Sequence, residues 1–160
     1  MSIKFSNIVN PTELPPAVVG SNDQGLPVGT NRAVVTIYSP HSASQVTVDG
    51  QPAALQTERE LDLYAHTLMV DIEPGATVDI TLLLSGRIDP DQHAEYELAL
   101  AHQPMGYPDE WRISFDAAPP WTTPSEAPVG FIAAASSADG SVLWEGALTN
   151  DHFVSFKPIS

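Results

Sequence analysis

The sequence contains no cysteine. That absence excludes disulfide scaffolds, thiolate nucleophiles, zinc ribbons and iron–sulfur ligation. It leaves the compartment open, because an oxidising environment permits disulfides without requiring them. Basic residues are scarce: six Lys and Arg stand against twenty Asp and Glu, for a formal net charge of −14. Such a surface repels phosphate backbones and anionic headgroups, which argues against nucleic acid and membrane surfaces. It suits cations, or basic and neutral partners such as sugars, and it also serves solubility. No run approaches the length of an apolar bilayer-spanning helix. G-x-S-x-G, phosphate loops, dinucleotide fingerprints and H-E-x-x-H are missing, although a triad scattered along the chain escapes such a search. Met1 to Asn10 lack the basic start and apolar run of a signal peptide. An extracellular location therefore predicts an export signal or anchor upstream of this chain.

What is present favours strands. Fifteen prolines and ten glycines among 160 residues fit strands and turns better than helices. A chain of this length buries roughly 70% of its unfolded surface, so it needs no metal or disulfide for stability. Alternation with period two recurs through most of the sequence. Ala33 to Ser39 is a continuous β-rich run suited to a central strand. Val46 and Val48 lead to Asp49-Gly50, a pair that tolerates positive φ in a tight hairpin. Leu68, Val70 and Ile72 face one way and Thr67, Met69 and Asp71 the other; after Pro74-Gly75, Val78, Ile80, Leu82 and Leu84 continue the pattern, as in a hairpin. Tyr96, Leu98 and Leu100 form another row, and Trp111, Ile113 and Phe115 a further one. Val142 and Trp144, an Asn150-Asp151 turn, and Val154 with Phe156 read as a last hairpin. Ala53 to His66 and Gln92 to His102 hold good helix formers, but their alternating Leu and Tyr residues place both as strands.

Together these signals predict an all-β fold, an antiparallel two-sheet β-sandwich of Ig-like general architecture. The expected organisation is a main sandwich over 1–116 with a long N-terminal loop, a Pro-rich connection over 117–130, and a C-terminal hairpin over 131–160. That hairpin is too small to be stable alone and should dock on the same domain. Pro11 to Asn31 and Ala117 to Gly130 are the irregular stretches.

Several short motifs follow one another along the chain: Asn10-Pro11, Leu14-Pro15-Pro16, Val18-Val19-Gly20, Gly29-Thr30-Asn31-Arg32, Tyr38-Ser39-Pro40 and Val48-Asp49-Gly50. Glu73-Pro74-Gly75, Tyr96-Glu97-Leu98, Gln103-Pro104 and Pro108-Asp109 follow. As a set, over roughly residues 4 to 116, they resemble the C-terminal extracellular β domain of a family of membrane-anchored surface proteins from Gram-positive bacteria, whose function is uncharacterised. The resemblance implies a cell-surface address for this chain, as part of a larger anchored protein. It implies no catalytic residue and no cofactor.

The residues offer three kinds of chemistry. Asp89, Asp91 and Glu95 lie within one short loop and could supply part of a calcium cage, which needs six to eight oxygens. The EF-hand glycine is missing, and a solvated acidic turn is the simpler reading. Glu58, Glu60 and Asp62 would share one face of a strand, with Arg59, Leu61 and Leu63 on the other. A glycosidase would need two such acids across a cleft; a charged solvent face needs nothing more. Trp121, among Pro119, Pro120 and Pro124, and Tyr107, beside Gly106 and Pro108, are the aromatics placed to stack on sugar. A Trp among prolines also commonly plugs a sheet edge. His41, His66, His93, His102 and His152 show no ligand-like spacing.

The expectation is a non-enzymatic, extracellular structural or interaction domain without cofactor, presenting loops at Pro11 to Asn31 and Gln103 to Asp109. Its expected partner is a cell-envelope glycan or protein, with no nucleic acid and no direct membrane insertion. The rival readings are a carboxylate-dependent glycan-processing enzyme and a calcium-stiffened spacer.

Overall fold

Strands bounded by Gly, Pro and Asp turns make up nearly all the regular structure in the computed structural model, which describes residues 1–19, 24–88, 95–102, 110–116, 119, 121–122, 124, 126–136 and 141–158, with backbone alone at 16 and 134–136. The chain divides into two compact units, Met1–Arg87 and Ile88–Ser160. Each has its own buried apolar cluster, and all described strand pairs are antiparallel.

In the first unit, β1 (Ser2–Ser6) leads through the single-turn helix α1 (Pro16–Val19) to β2 (Asn31–Ser39) and β3 (Ser42–Val48). β4 (Gln51–Pro52), β5 (Gln56–Glu60), β6 (Leu63–Ile72) and β7 (Thr77–Ser85) follow. They form a four-stranded sheet in the order β1-β7-β3-β4 and a three-stranded sheet in the order β2-β6-β5. Alternate residues supply the core between them: Val46, Val78, Ile80 and Leu82 from the first sheet, Ile37, Leu68, Val70 and Ile72 from the second. Each fully buried side chain of this kind stabilises the fold by about 1.5–3 kcal/mol relative to exposure. An Ig constant domain pairs strands A-B-E-D against C-F-G. Here the first, seventh, third and fourth strands form one sheet and the second, sixth and fifth the other. The architecture is a sandwich, with a strand order of its own.

Two hairpin turns show how residue choice meets backbone geometry. Asp49 and Gly50 have φ of 50° and 76° between the paired residues Val48 and Gln51, as their sequence predicts. Leu61 and Asp62 adopt the same positive-φ geometry, at 45° and 67°, between the paired Glu60 and Leu63. Leu61 is therefore 98% exposed at a turn and belongs to no inward row. Asp62 likewise leaves the face it was expected to share with Glu58 and Glu60.

Two other expectations for this unit are corrected. β6 and β7 do not form a hairpin: the Pro74-Gly75 connection carries the chain from one sheet to the other. Both strands are apolar on one face and central in their own sheets, so each faces the other across the core. Among the described residues β2 is an edge strand, bonded only to β6, despite its continuous β-branched run. Asn7 ties the layers together. Its side-chain amide donates to the carbonyls of Gly29 at 2.8 Å and Ile72 at 2.9 Å, and its Oδ1 accepts from Val9 N at 3.1 Å.

His66 is fully buried on the inner face. Its Nε2 donates to the His41 carbonyl and its Nδ1 bonds Thr57 Oγ1, both at 3.0 Å. Its ring stacks on Tyr64 at 5.8 Å, and the Arg59 guanidinium lies 4.6 Å from the Tyr64 ring centre. The residue is a satisfied core histidine.

The second unit holds β8 (Tyr96–Leu100), β9 (Glu110–Phe115), β10 (Phe131–Ser136), β11 (Val142–Ala147) and β12 (His152–Phe156). One sheet runs β10-β11-β9 and the other pairs β12 with β8. The last strand thus crosses to β8 instead of returning beside β11, which corrects the expected terminal hairpin. Phe115 joins the two sheets, edge-on to Trp144 at 5.1 Å and to Phe156 at 4.8 Å. This aromatic core draws β8 and β9 to the C-terminal strands. The division at Arg87 and Ile88 consequently replaces the expected grouping of residues 1–116.

Candidate functional site

The outer face of the β2-β6-β5 sheet carries exposed apolar side chains beside a network of polar contacts. Strand register sets its rows, because directly paired residues share a face. Arg32 pairs with Asp71, Val34 with Met69, Thr36 with Thr67 and Tyr38 with Ala65. From the other side Gln56 pairs with Thr67 and Glu58 with Ala65. Val34 is 67% exposed, Met69 61% and Tyr38 56%, so three large apolar side chains stand in solvent on one sheet face.

Polar contacts frame them. Arg32 grips Asp71 with two hydrogen bonds, Nε to Oδ1 at 2.6 Å and Nη2 to Oδ2 at 2.7 Å, and it also contacts the Gln24 side chain. This fork holds the Asp71 carboxyl below its ordinary range, first through the hydrogen bonds and then through charge. The same contact raises Arg32. Thr36 and Thr67 hydroxyls meet at 3.0 Å. The Tyr38 hydroxyl donates to Glu60 at 3.0 Å; that hydrogen bond, followed by the carboxylate's charge, pushes the phenol up. Gln56 Nε2 donates to Glu58 at 2.7 Å. The result is a Tyr ring with its hydroxyl fixed, flanked by two carboxylates and an amide.

Of the residues singled out from sequence, only the Glu58 and Glu60 pair lies on this face among the described residues. Glu58 and Glu60 are exposed on this sheet face, each accepting a hydrogen bond from a neighbouring side chain. Trp121 is half-buried, bridged in antiparallel fashion to Pro158 and packed against the second core, in the manner of a plug. Glu95 is exposed just before β8. Asp89, Asp91, His93 and Tyr107 lie outside the described residues, as does the 103–109 loop. Among the described residues no three His, Asp or Glu side chains gather as a metal site would require.

A shallow cleft of about 230 Å³ sits in the N-terminal loop region, lined by Asn7, Val9, Val18, Val19 and residues 29–31. It is smaller than usual ligand pockets, which span roughly 300–1,000 Å³, and none of the described residues that line it is acidic. The buried Thr30 hydroxyl has no hydrogen-bond partner among the described residues.

Sequence reasoning missed Val34 and Tyr38 because it read Ala33 to Ser39 as one continuous β-rich run and assigned it no outward face. The available signal was the polar series Arg32, Thr36 and Tyr38 alternating with Ala33, Val35 and Ile37. Met69, by contrast, was legible as outward-facing beside Thr67 and Asp71. Comparison with known protein families, with curated proteins and with solved structures finds no match for this chain.

Proposed function

We propose that this chain is a non-enzymatic interaction module of an extracellular bacterial surface protein, and that it binds an envelope or secreted polysaccharide on the outer face of its β2-β6-β5 sheet. The observation that carries the reading is Tyr38: more than half exposed on the outer sheet face and oriented by its bond to Glu60. An aromatic ring offers sugar C–H faces an apolar surface, while its own polar tip and neighbouring acceptors take hydroxyl protons. Glu58, Gln56 and the Thr36–Thr67 pair supply those hydrogen-bonding groups, and Met69 and Val34 extend the apolar strip. A net charge of −14 is compatible with a neutral polymer and opposes anionic ones. The surface address rests on the motif series from Asn10 to Asp109.

The test is co-sedimentation with isolated Gram-positive cell walls and with secreted polysaccharide. The reading predicts saturable binding that survives moderate salt and is lost in Tyr38→Ala. Equal retention of wild type and Tyr38→Ala, or no retention of either, rejects it.

A further inference from the structure

We infer that β2 is a self-pairing edge, through which two copies of this chain join antiparallel about a two-fold axis at Val35. The product is one continuous sheet in the order β5-β6-β2-β2-β6-β5. β2 is bonded to β6 along all nine of its residues, and among the described residues no backbone group bonds its other side. An edge of this length exposes a row of unmet N–H and C=O groups, a template that only another extended strand completes.

The remaining edges of the first unit are blunted, and β2 is not. β5 carries Glu58, Arg59 and Glu60 in five residues. β4 is two residues long and ends in Pro52. β1 is five residues with Lys4. β2 spans nine residues with no proline, no lysine and no acid, and its single charge, Arg32, is already matched by Asp71. Charges, prolines and short strands are the devices that keep edges from pairing. The stretch of β3 that β4 leaves uncovered is broken instead by an irregularity between Ala43 and Gln45, and bulges also discourage pairing. Among the described edges β2 carries none of these devices beyond the matched Arg32, which marks it as one that pairs.

The strand also fits itself. A dyad at Val35 sets Val35 against Val35, Val34 against Thr36, Ala33 against Ile37, Arg32 against Tyr38 and Asn31 against Ser39 of the second copy. No like charges meet in any row. Ala33, Val35 and Ile37, whose side chains face the core, meet apolar partners, and the Arg32 guanidinium meets an aromatic ring, a favourable cross-strand pair. An isologous contact of this kind closes at two copies. Charge does not prevent it: residues Met1–Arg87 hold nine acidic and four basic side chains, whereas Ile88–Ser160 hold eleven and two. The pairing leaves the outer face open and sets two Tyr38 platforms on one surface, where a repetitive polymer could engage both.

Sedimentation equilibrium of the full chain, without polysaccharide, tests this. The expected result is a mass rising from one chain to two with concentration. Val34→Lys/Thr36→Lys, at two exposed positions, sets lysine against lysine in both copies of that row and should return the mass to one chain with the melting curve retained. Val34→Cys/Thr36→Cys in this cysteine-free chain should give a covalent dimer on oxidation, because opposed strand positions lie within disulfide reach. A wild type that keeps the mass of one chain up to about 1 mM, where even millimolar association half-forms, overturns the inference. So does a dimer that persists in the lysine variant. Sedimentation reads the mass without polysaccharide, and co-sedimentation reads polysaccharide binding by the wild-type chain, so failure to dimerise and failure to bind polysaccharide are read separately.

Discussion

Replacing Ile80 by Ala tests whether the chain holds two cores or one. Ile80 has no exposed surface and is paired with Ile3 on one side and Val48 on the other, at the centre of the first core. The change deletes three carbons, about 2.4 kcal/mol at ~0.8 kcal/mol per buried methylene. The cavity left between well-packed strands adds to this, for a total of about 3–4 kcal/mol, within the usual range for such truncations. A unit the size of Met1–Arg87 has a total stability of roughly 4–13 kcal/mol. The substitution therefore removes a large share, and the first unit's Tm should fall by about 12–25 °C. The assay exploits the distribution of tryptophan. Trp111, Trp121 and Trp144 all lie in Ile88–Ser160, so tryptophan emission follows the second unit while far-ultraviolet circular dichroism follows both. The expected outcome is an early dichroism step in Ile80→Ala with an unshifted emission transition. Emission that falls together with dichroism would show one cooperative core and refute the division. A shift under about 1 kcal/mol would refute the packing assigned to Ile80.

Three further outcomes follow from the first unit. Leu61→Asn/Asp62→Gly should stabilise it by about 1–2 kcal/mol in urea melts, because both residues now hold positive φ at a cost that Asn-Gly avoids. Asn7→Ala should destabilise it by about 2–4 kcal/mol, since the carbonyls of Gly29 and Ile72 lose their donor inside the fold; unchanged melting would disprove the clamp. Asp71 has a lowered pKa, so the stability it contributes is present above the ordinary Asp range and lost as pH falls through the lowered value. Asp71→Asn should accordingly be less stable than wild type at neutral pH, and the two should converge in melts below about pH 4.

The sequence exposed most of the strands and little of their partnering. Alternation located the inward rows of β6, β7, β8 and β9, and Asp49-Gly50 marked its turn, because periodicity and positive φ are local properties. Partnering depends on which apolar faces meet, and no local signal carries that. Val34 to Tyr38 looked central by β-branching, yet lies at an edge, and Pro74-Gly75 looked like a hairpin turn, yet crosses between sheets. Leu61 broke the turn chemistry outright, since a leucine at positive φ reads as a strand residue. The candidate site was half visible: Met69 was legible as outward-facing, but Tyr38 sat in a continuous β-rich run to which no outward face was assigned. Trp121 is bridged to Pro158 and packs on the second core.

Amide chemical-shift mapping during titration with solubilised cell-wall polysaccharide fragments tests the central claim most directly. The account predicts perturbations concentrated at Tyr38, Met69, Gln56 and Glu58, with the second unit unmoved. Perturbations centred instead on the residues around Trp121, or none at saturating polysaccharide, would contradict it.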